Sequence, residues 1–161
     1  MHTLTTTLSA IPLWVYPLLF ALTLLGRRAQ KDRSSPVALI YALPLLGLLS
    51  LNRALDLGEV ATTALLMGWS SGVFAGYILQ PYWTLSRSGN RVELKGESVT
   101  MVTVLALFTT NFAAGMAQGM AADLSASVAF GLVYGVFSGV LSGSLAGRAL
   151  FIARMPVLRT A

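Results

Sequence analysis

The sequence predicts an all-α polytopic membrane protein, a single integral domain over residues 1–161 built as a bundle of five transmembrane helices. Hydrophobic residues make up 55% of the 161-residue chain and charged residues only 11%. Soluble domains carry about 25% charged residues, so this chain has too few to cover a water-facing surface. The apolar residues also fall in long uninterrupted runs, with Lys and Arg grouped between them. A soluble globular domain is therefore excluded as the default.

Five apolar runs approach the roughly 20 residues that a membrane-spanning helix needs. They cover about residues 8–26, 36–52, 60–79, 99–121 and 125–147. The first run differs from a signal peptide, because no Lys or Arg precedes it and four follow it. It reads as a retained anchor. The second run is short, and Pro44 predicts a kink within it.

The connections between the runs are short and polar. Residues 52–59 form a mostly acidic connection, and residues 122–124 form a tight turn. The longest connection, residues 80–98, contains Ser88-Gly89-Asn90 between two alternating polar stretches. This pattern predicts a short cytoplasmic hairpin between the third and fourth helices.

The cations predict the orientation in the membrane. With five spans, ten of the eleven Lys and Arg residues fall on one side, and only Arg53 falls on the other. The positive-inside rule then places the N-terminus outside and the C-terminus in the cytoplasm. Cations beside spans also touch lipid headgroups, so we expect membrane lipids and not nucleic acid as their partners. Asp56 and Glu59 are the expected partners of Arg53.

Glycines recur at four-residue spacing in the last three runs. Such small residues let helices approach closely in lipid. The stripes predict either glycine-zipper packing within the bundle or self-association into an oligomer. The helix-packing candidates are Gly68, Gly72, Gly76, Gly115, Gly119, Gly131, Gly135, Gly139, Gly143 and Gly147.

Three uncharged side chains fall near the middle of the runs, where no Asp, Glu, Lys or Arg is expected. They are Trp69, Asn111 and Tyr134, and Gln118 lies two turns outward of Asn111 on nearly the same face. One interpretation is that Asn111, Gln118 and Tyr134, with nearby serines, hydrogen bond between helices. The other is that all four surround one midplane pocket for a small uncharged or aromatic ligand.

Catalytic, metal and cofactor chemistry finds little support in the composition. The chain has no Cys and a single His, His2. Disulfides, thiolate nucleophiles, Cys-based zinc sites and a mid-chain Ser–His–Asp arrangement are thereby excluded. Glu93 and Glu97 are better explained as solvated loop charges than as catalytic acids. We expect no enzyme activity, no metal and no cofactor.

Several stretches resemble an uncharacterised bacterial family of small inner-membrane proteins that carries a domain-of-unknown-function label. They are LWVYPLLFALTLLGRR (13–28), LKGES (94–98) and YGVFSG with the later GRAL (134–139 and 147–150). The resemblance implies a five-span fold in the bacterial inner membrane and no activity. The family commonly has a Lys-Tyr pair where this chain has Asn111-Phe112, so a role of that lysine is not carried over.

Two functions remain open from the sequence. The first is an integral inner-membrane helix bundle without catalytic groups, which associates with itself or packs against another membrane protein. The alternative is a small oligomeric transporter or channel for a small uncharged or aromatic ligand. Pro44 and the polar midplane residues favour the alternative, and the lack of intramembrane charge weakens it.

Overall fold

The chain forms long apolar helices. The computed structural model describes Phe20 and residues 32–96 and 98–156. The structure is mostly helical, and four helical segments in this part are long and apolar enough to cross a membrane. They are Val37–Leu57, Glu59–Trp83, Val99–Met120 and Val128–Arg154. These segments are consistent with an integral membrane protein. The predicted first span, residues 8–26, lies outside the described residues apart from Phe20.

The elements alternate long helices with a small sheet. Strand β1 precedes the first segment, which a 3-10 turn, Leu43–Leu45, divides into α1 and α2. Pro44 lies in that turn, because proline has no N–H for an α-helical hydrogen bond. The bounds are β1 Arg33–Pro36, α1 Val37–Ala42, α2 Leu46–Leu57, α3 Glu59–Leu79, β2 Thr84–Ser88, β3 Arg91–Leu94, α4 Val99–Met120, α5 Ala122–Ser125 and α6 Val128–Arg154.

The helix of the second predicted span runs past residue 52. It continues to Leu57 as α2 and carries Arg53 and Asp56 within it. The whole connection to α3 is Gly58, whose φ of +102° is a conformation that other residues rarely adopt. A polar residue does not end a helix by itself, whereas a glycine in this conformation does.

Three antiparallel strands cover one end of the bundle, in the order β1-β3-β2. The hairpin of β2 and β3 occupies the predicted connection, and Gly89 in its turn has a φ of +55°. The sequence analysis missed β1, which pairs with β3 from Arg33 to Pro36. Arg87 on β2 donates a hydrogen bond to the Ile152 carbonyl, which ties the sheet to the end of α6.

The core of the bundle is a parallel pair of helices, α3 and α6, in backbone contact. A Cβ built on Gly68, Gly72 or Gly76 would lie 2.6, 2.3 or 2.1 Å from a carbonyl oxygen of α6. A Cβ on Gly139 or Gly143 would lie 2.3 or 2.2 Å from a carbonyl oxygen of α3. Each four-residue step along one helix matches a four-residue step along the other, so the two run in the same direction. We call this contact the glycine seam.

The two ends of the bundle differ in charge. The sheet end holds six of the seven Lys and Arg residues in the described part of the chain. They are Arg33, Arg87, Arg91, Lys95, Arg148 and Arg154. The opposite end holds Arg53 with three acids, Asp56, Glu59 and Asp123. The described helices therefore keep the charge separation that the sequence indicated.

Candidate functional site

A hydrogen-bonded network joins three helices at the middle of the bundle. Asn111 of α4 donates to the Ser50 hydroxyl of α2 at 2.8 Å and to its own Leu107 carbonyl at 2.8 Å. Tyr134 of α6 donates to the Asn111 side-chain oxygen at 2.9 Å, and its hydroxyl lies 3.3 Å from the Ser50 carbonyl. Ser50 is fully buried and Tyr134 is 4% exposed. Buried polar groups are costly unless paired, so this network fixes how α4 sits on α2 and α6.

Arg53 lies on α2 near the end opposite the sheet. Its guanidinium donates a hydrogen bond to the Gln118 side-chain oxygen on α4. A Cβ on Gly115 would lie 3.2 Å from an Arg53 nitrogen, so the glycine makes room for the guanidinium. In the part of the chain that the structure describes, no carboxylate pairs with Arg53. The expected ion pair with Asp56 or Glu59 is therefore replaced by a bond to a neutral amide, because Arg53 points along α4.

An open groove of about 520 Å³ runs between α2 and α4. Its walls are mostly apolar, with Phe108 and Phe112 stacked at 6.2 Å between ring centroids. Arg53, Asn52 and Asn111 supply its polar atoms. We call it the α2–α4 groove; its lining residues are Leu49, Asn52, Arg53, Phe108, Asn111, Phe112, Gly115, Met116, Gly119 and Met120.

A second depression of about 380 Å³ lies on the other side of α4, against α6. Small residues of α4 form one wall and two phenylalanines of α6 border the other, and almost no polar surface is exposed in it. We call it the α4–α6 furrow; its lining residues are Thr109, Thr110, Ala113, Ala114, Phe130, Val133, Tyr134 and Phe137. α4 is the least buried of the four long helices, with 17% of its apolar window buried against 44% for α6.

The four predicted pocket residues do not surround one cavity. Asn111 and Tyr134 bond to each other but line different depressions. Gln118 bonds Arg53 at the end of the bundle. Trp69 lies on α3 at 42% exposure, its backbone at the glycine seam, and it lines neither depression. Helical spacing along each run could not give the rotation of α3 relative to α4.

One polar site at the sheet end escaped the sequence analysis. The predicted last span ends at residue 147, and α6 continues beyond it to Arg154 and buries Arg148 at 6% exposure. Arg148 donates to the Thr100 hydroxyl at 2.7 Å and lies 4.8 Å from the Trp83 ring centroid. The neighbouring Gln80 is 3% exposed. Trp83 stacked on a cation indicates a structural anchor for the sheet.

The described residues offer little for catalysis. Within residues 32–96 and 98–156, no three His, Cys, Asp or Glu side chains group as metal ligands. The polar network of Ser50, Asn111 and Tyr134 contains no charged group, and its hydrogen bonds fix the orientation of the three helices. The geometry instead provides two open, mostly apolar surfaces on α4, the α2–α4 groove and the α4–α6 furrow. No protein-family model matches the sequence, and no curated protein or solved structure is significantly similar to it.

Proposed function

We propose that the protein is a noncatalytic helix bundle of the bacterial inner membrane whose α4 associates with a second copy or with another membrane protein. The N-terminus is placed outside and the C-terminus in the cytoplasm. The basic sheet end then faces the cytoplasm, as the positive-inside rule requires. Membership of the uncharacterised bacterial family named above is part of the same proposal.

The observation that carries the proposal is the contrast between α4 and the glycine seam. The glycines of α3 and α6 already contact backbone within the chain. These glycine stripes are therefore already packed within one chain, and no oligomer is needed to explain them. α4 instead exposes small side chains, Thr109 and Ala113, in the α4–α6 furrow. In lipid, helices associate where small residues allow close approach, so the furrow suits an added helix.

Ala113→Leu tests this function because the larger side chain fills the furrow. Val102→Leu is the matched control, since Val102 is 57% exposed on the same helix and lines neither depression. Native mass spectrometry from nanodiscs reports the oligomer and any co-purified protein. We expect Ala113→Leu to weaken association by about tenfold or more, the effect of an overpacked contact. Unchanged association, or a wild-type protein that is monomeric and alone, contradicts the proposal.

A transporter or channel is the second candidate, and the α2–α4 groove favours it. A volume of about 520 Å³ lies within the usual 300–1,000 Å³ of ligand pockets. Aromatic walls beside Asn111 suit a small uncharged or aromatic ligand. A ligand-linked change in oligomeric state distinguishes the two functions, because a bundle that only associates has no ligand to respond to.

A further inference from the structure

We propose that the α2–α4 groove is a binding site for one anionic phospholipid, with its phosphate on Arg53 and an acyl chain along α4. This inference concerns a different face of α4 from the furrow and stands whether or not the protein associates through that furrow. It also names a ligand class for the groove that differs from the small uncharged ligand of the second candidate. The charge of Arg53, the length of the groove and the open space at Gly119 all favour such a lipid.

The charge at the groove is the half-buried guanidinium group of Arg53, which has more hydrogen-bond donors than Gln118 uses. Arg53 uses one nitrogen on Gln118 and keeps others accessible at the wall of the groove. Guanidinium groups bind phosphate through two parallel hydrogen bonds. Asn52, exposed beside Arg53, adds an amide donor. Asp56, Glu59 and Asp123 lie at the same end but are exposed, so water and salt screen them.

The length of the groove matches one leaflet of a membrane. Phe108 and Met120 mark its ends on α4, and twelve residues at 1.5 Å each span about 18 Å. Half of a hydrocarbon core is about 15 Å. Arg53 lies four residues before the end of α2, about 6 Å inside it. Arg53 therefore lies at headgroup depth, and the apolar α2–α4 groove beside it runs toward the bilayer centre.

The glycine at the outer end of the groove leaves its mouth open. A Cβ on Gly119 would meet nothing within 4 Å, unlike the glycines of the seam. The lipid headgroup would occupy the open mouth at Gly119, and the acyl chain would run inward from Arg53 along Met116 and Phe112, whose side chains line the same wall. A helix of a second copy would also fit an open apolar wall, but it would leave the Arg53 charge without a partner. The cation therefore favours a phospholipid over a helix.

Native mass spectrometry of the full chain in detergent tests the site, with lipid added after delipidation. The probes are phosphatidylglycerol, phosphatidylcholine with the same chains, and glycerol phosphate without chains. We expect one tightly bound phosphatidylglycerol, with both other probes at least about tenfold weaker. Phosphatidylcholine has the same phosphate but carries a compensating choline cation, and glycerol phosphate has no acyl chain to bury along α4. Equal binding of phosphatidylcholine or of glycerol phosphate overturns the proposal.

Variants at Arg53 and at Gly119 test separately the charge and the open space of the groove. Arg53→Gln should weaken phosphatidylglycerol binding by about tenfold, and Arg53→Lys should restore much of it. Arg91→Gln, an exposed cation on β3 at the other end, is the control and should bind as wild type. Gly119→Leu fills the mouth without touching Arg53 and should lose the lipid. It carries the test alone if Arg53→Gln does not fold. Wild-type lipid binding by Gly119→Leu, or a second copy in the groove, refutes the site.

Discussion

Gly143→Ala is the sharpest perturbation of the glycine seam. It adds one methyl group where α6 touches α3. The new Cβ would lie 2.2 Å from the Trp69 carbonyl oxygen and 2.9 Å from the Trp69 Cα. Carbon atoms in ordinary contact are about 3.5–4.0 Å from their neighbours. The obstacle is backbone, which cannot turn aside, so α3 and α6 must separate by about 1 Å.

The energetic cost of this separation follows from the contacts that it loosens. A gap of about 0.5–1 Å forfeits a quarter to a half of each contact's attraction, and overpacking typically costs about 1–3 kcal/mol. Alanine also favours the helix by up to about 1 kcal/mol over glycine. The expected net loss is about 1–2 kcal/mol of unfolding free energy. Adding Gly139→Ala should cost less than the first substitution, because the seam is already open.

Equilibrium unfolding in mixed micelles of detergent and sodium dodecyl sulfate measures this loss. Gly119→Ala is the matched control, because its Cβ meets nothing within 4 Å on α4. We expect Gly119→Ala to be as stable as wild type or slightly more stable. If Gly143→Ala unfolds at the same dodecyl sulfate fraction as Gly119→Ala, the two helices are not held by backbone contact. The reasoning about the seam is then wrong.

Two further predictions concern the polar network and the orientation. In a double-mutant cycle of unfolding free energies, Asn111→Ala and Tyr134→Phe should be coupled by about 0.6–2 kcal/mol, the range for hydrogen bonds between membrane helices. If the two losses of stability are additive, the Asn111–Tyr134 hydrogen bond does not contribute to stability. Reporter fusions should place a C-terminal tag in the cytoplasm, since six described cations share the sheet end. A C-terminal tag found outside would reverse the proposed orientation.

Hydropathy predicted most of what the structure describes. The third and fourth apolar runs, residues 60–79 and 99–121, match α3 and α4 to within a residue at each end. The hairpin was predicted from Ser88-Gly89-Asn90, because a turn signal is local. β1 was missed because a strand at a sheet edge depends on its partner, and Arg33–Pro36 has no alternating apolar residues. Arg148 was placed outside a span because α6 runs further than its apolar stretch.

The sequence by itself determined the apolar helices and the separation of charge between their ends. These properties follow from composition and from a fixed rise per residue, so no knowledge of neighbours is needed. Only the tertiary structure decided which faces meet. In the structure the glycines of α3 and α6 pack these two helices against each other. Trp69 lies apart from both depressions beside α4, and Arg53 is hydrogen bonded to Gln118. The rotation of one helix against another depends on close packing with residues far away in the chain, and periodicity along a single helix carries no record of it.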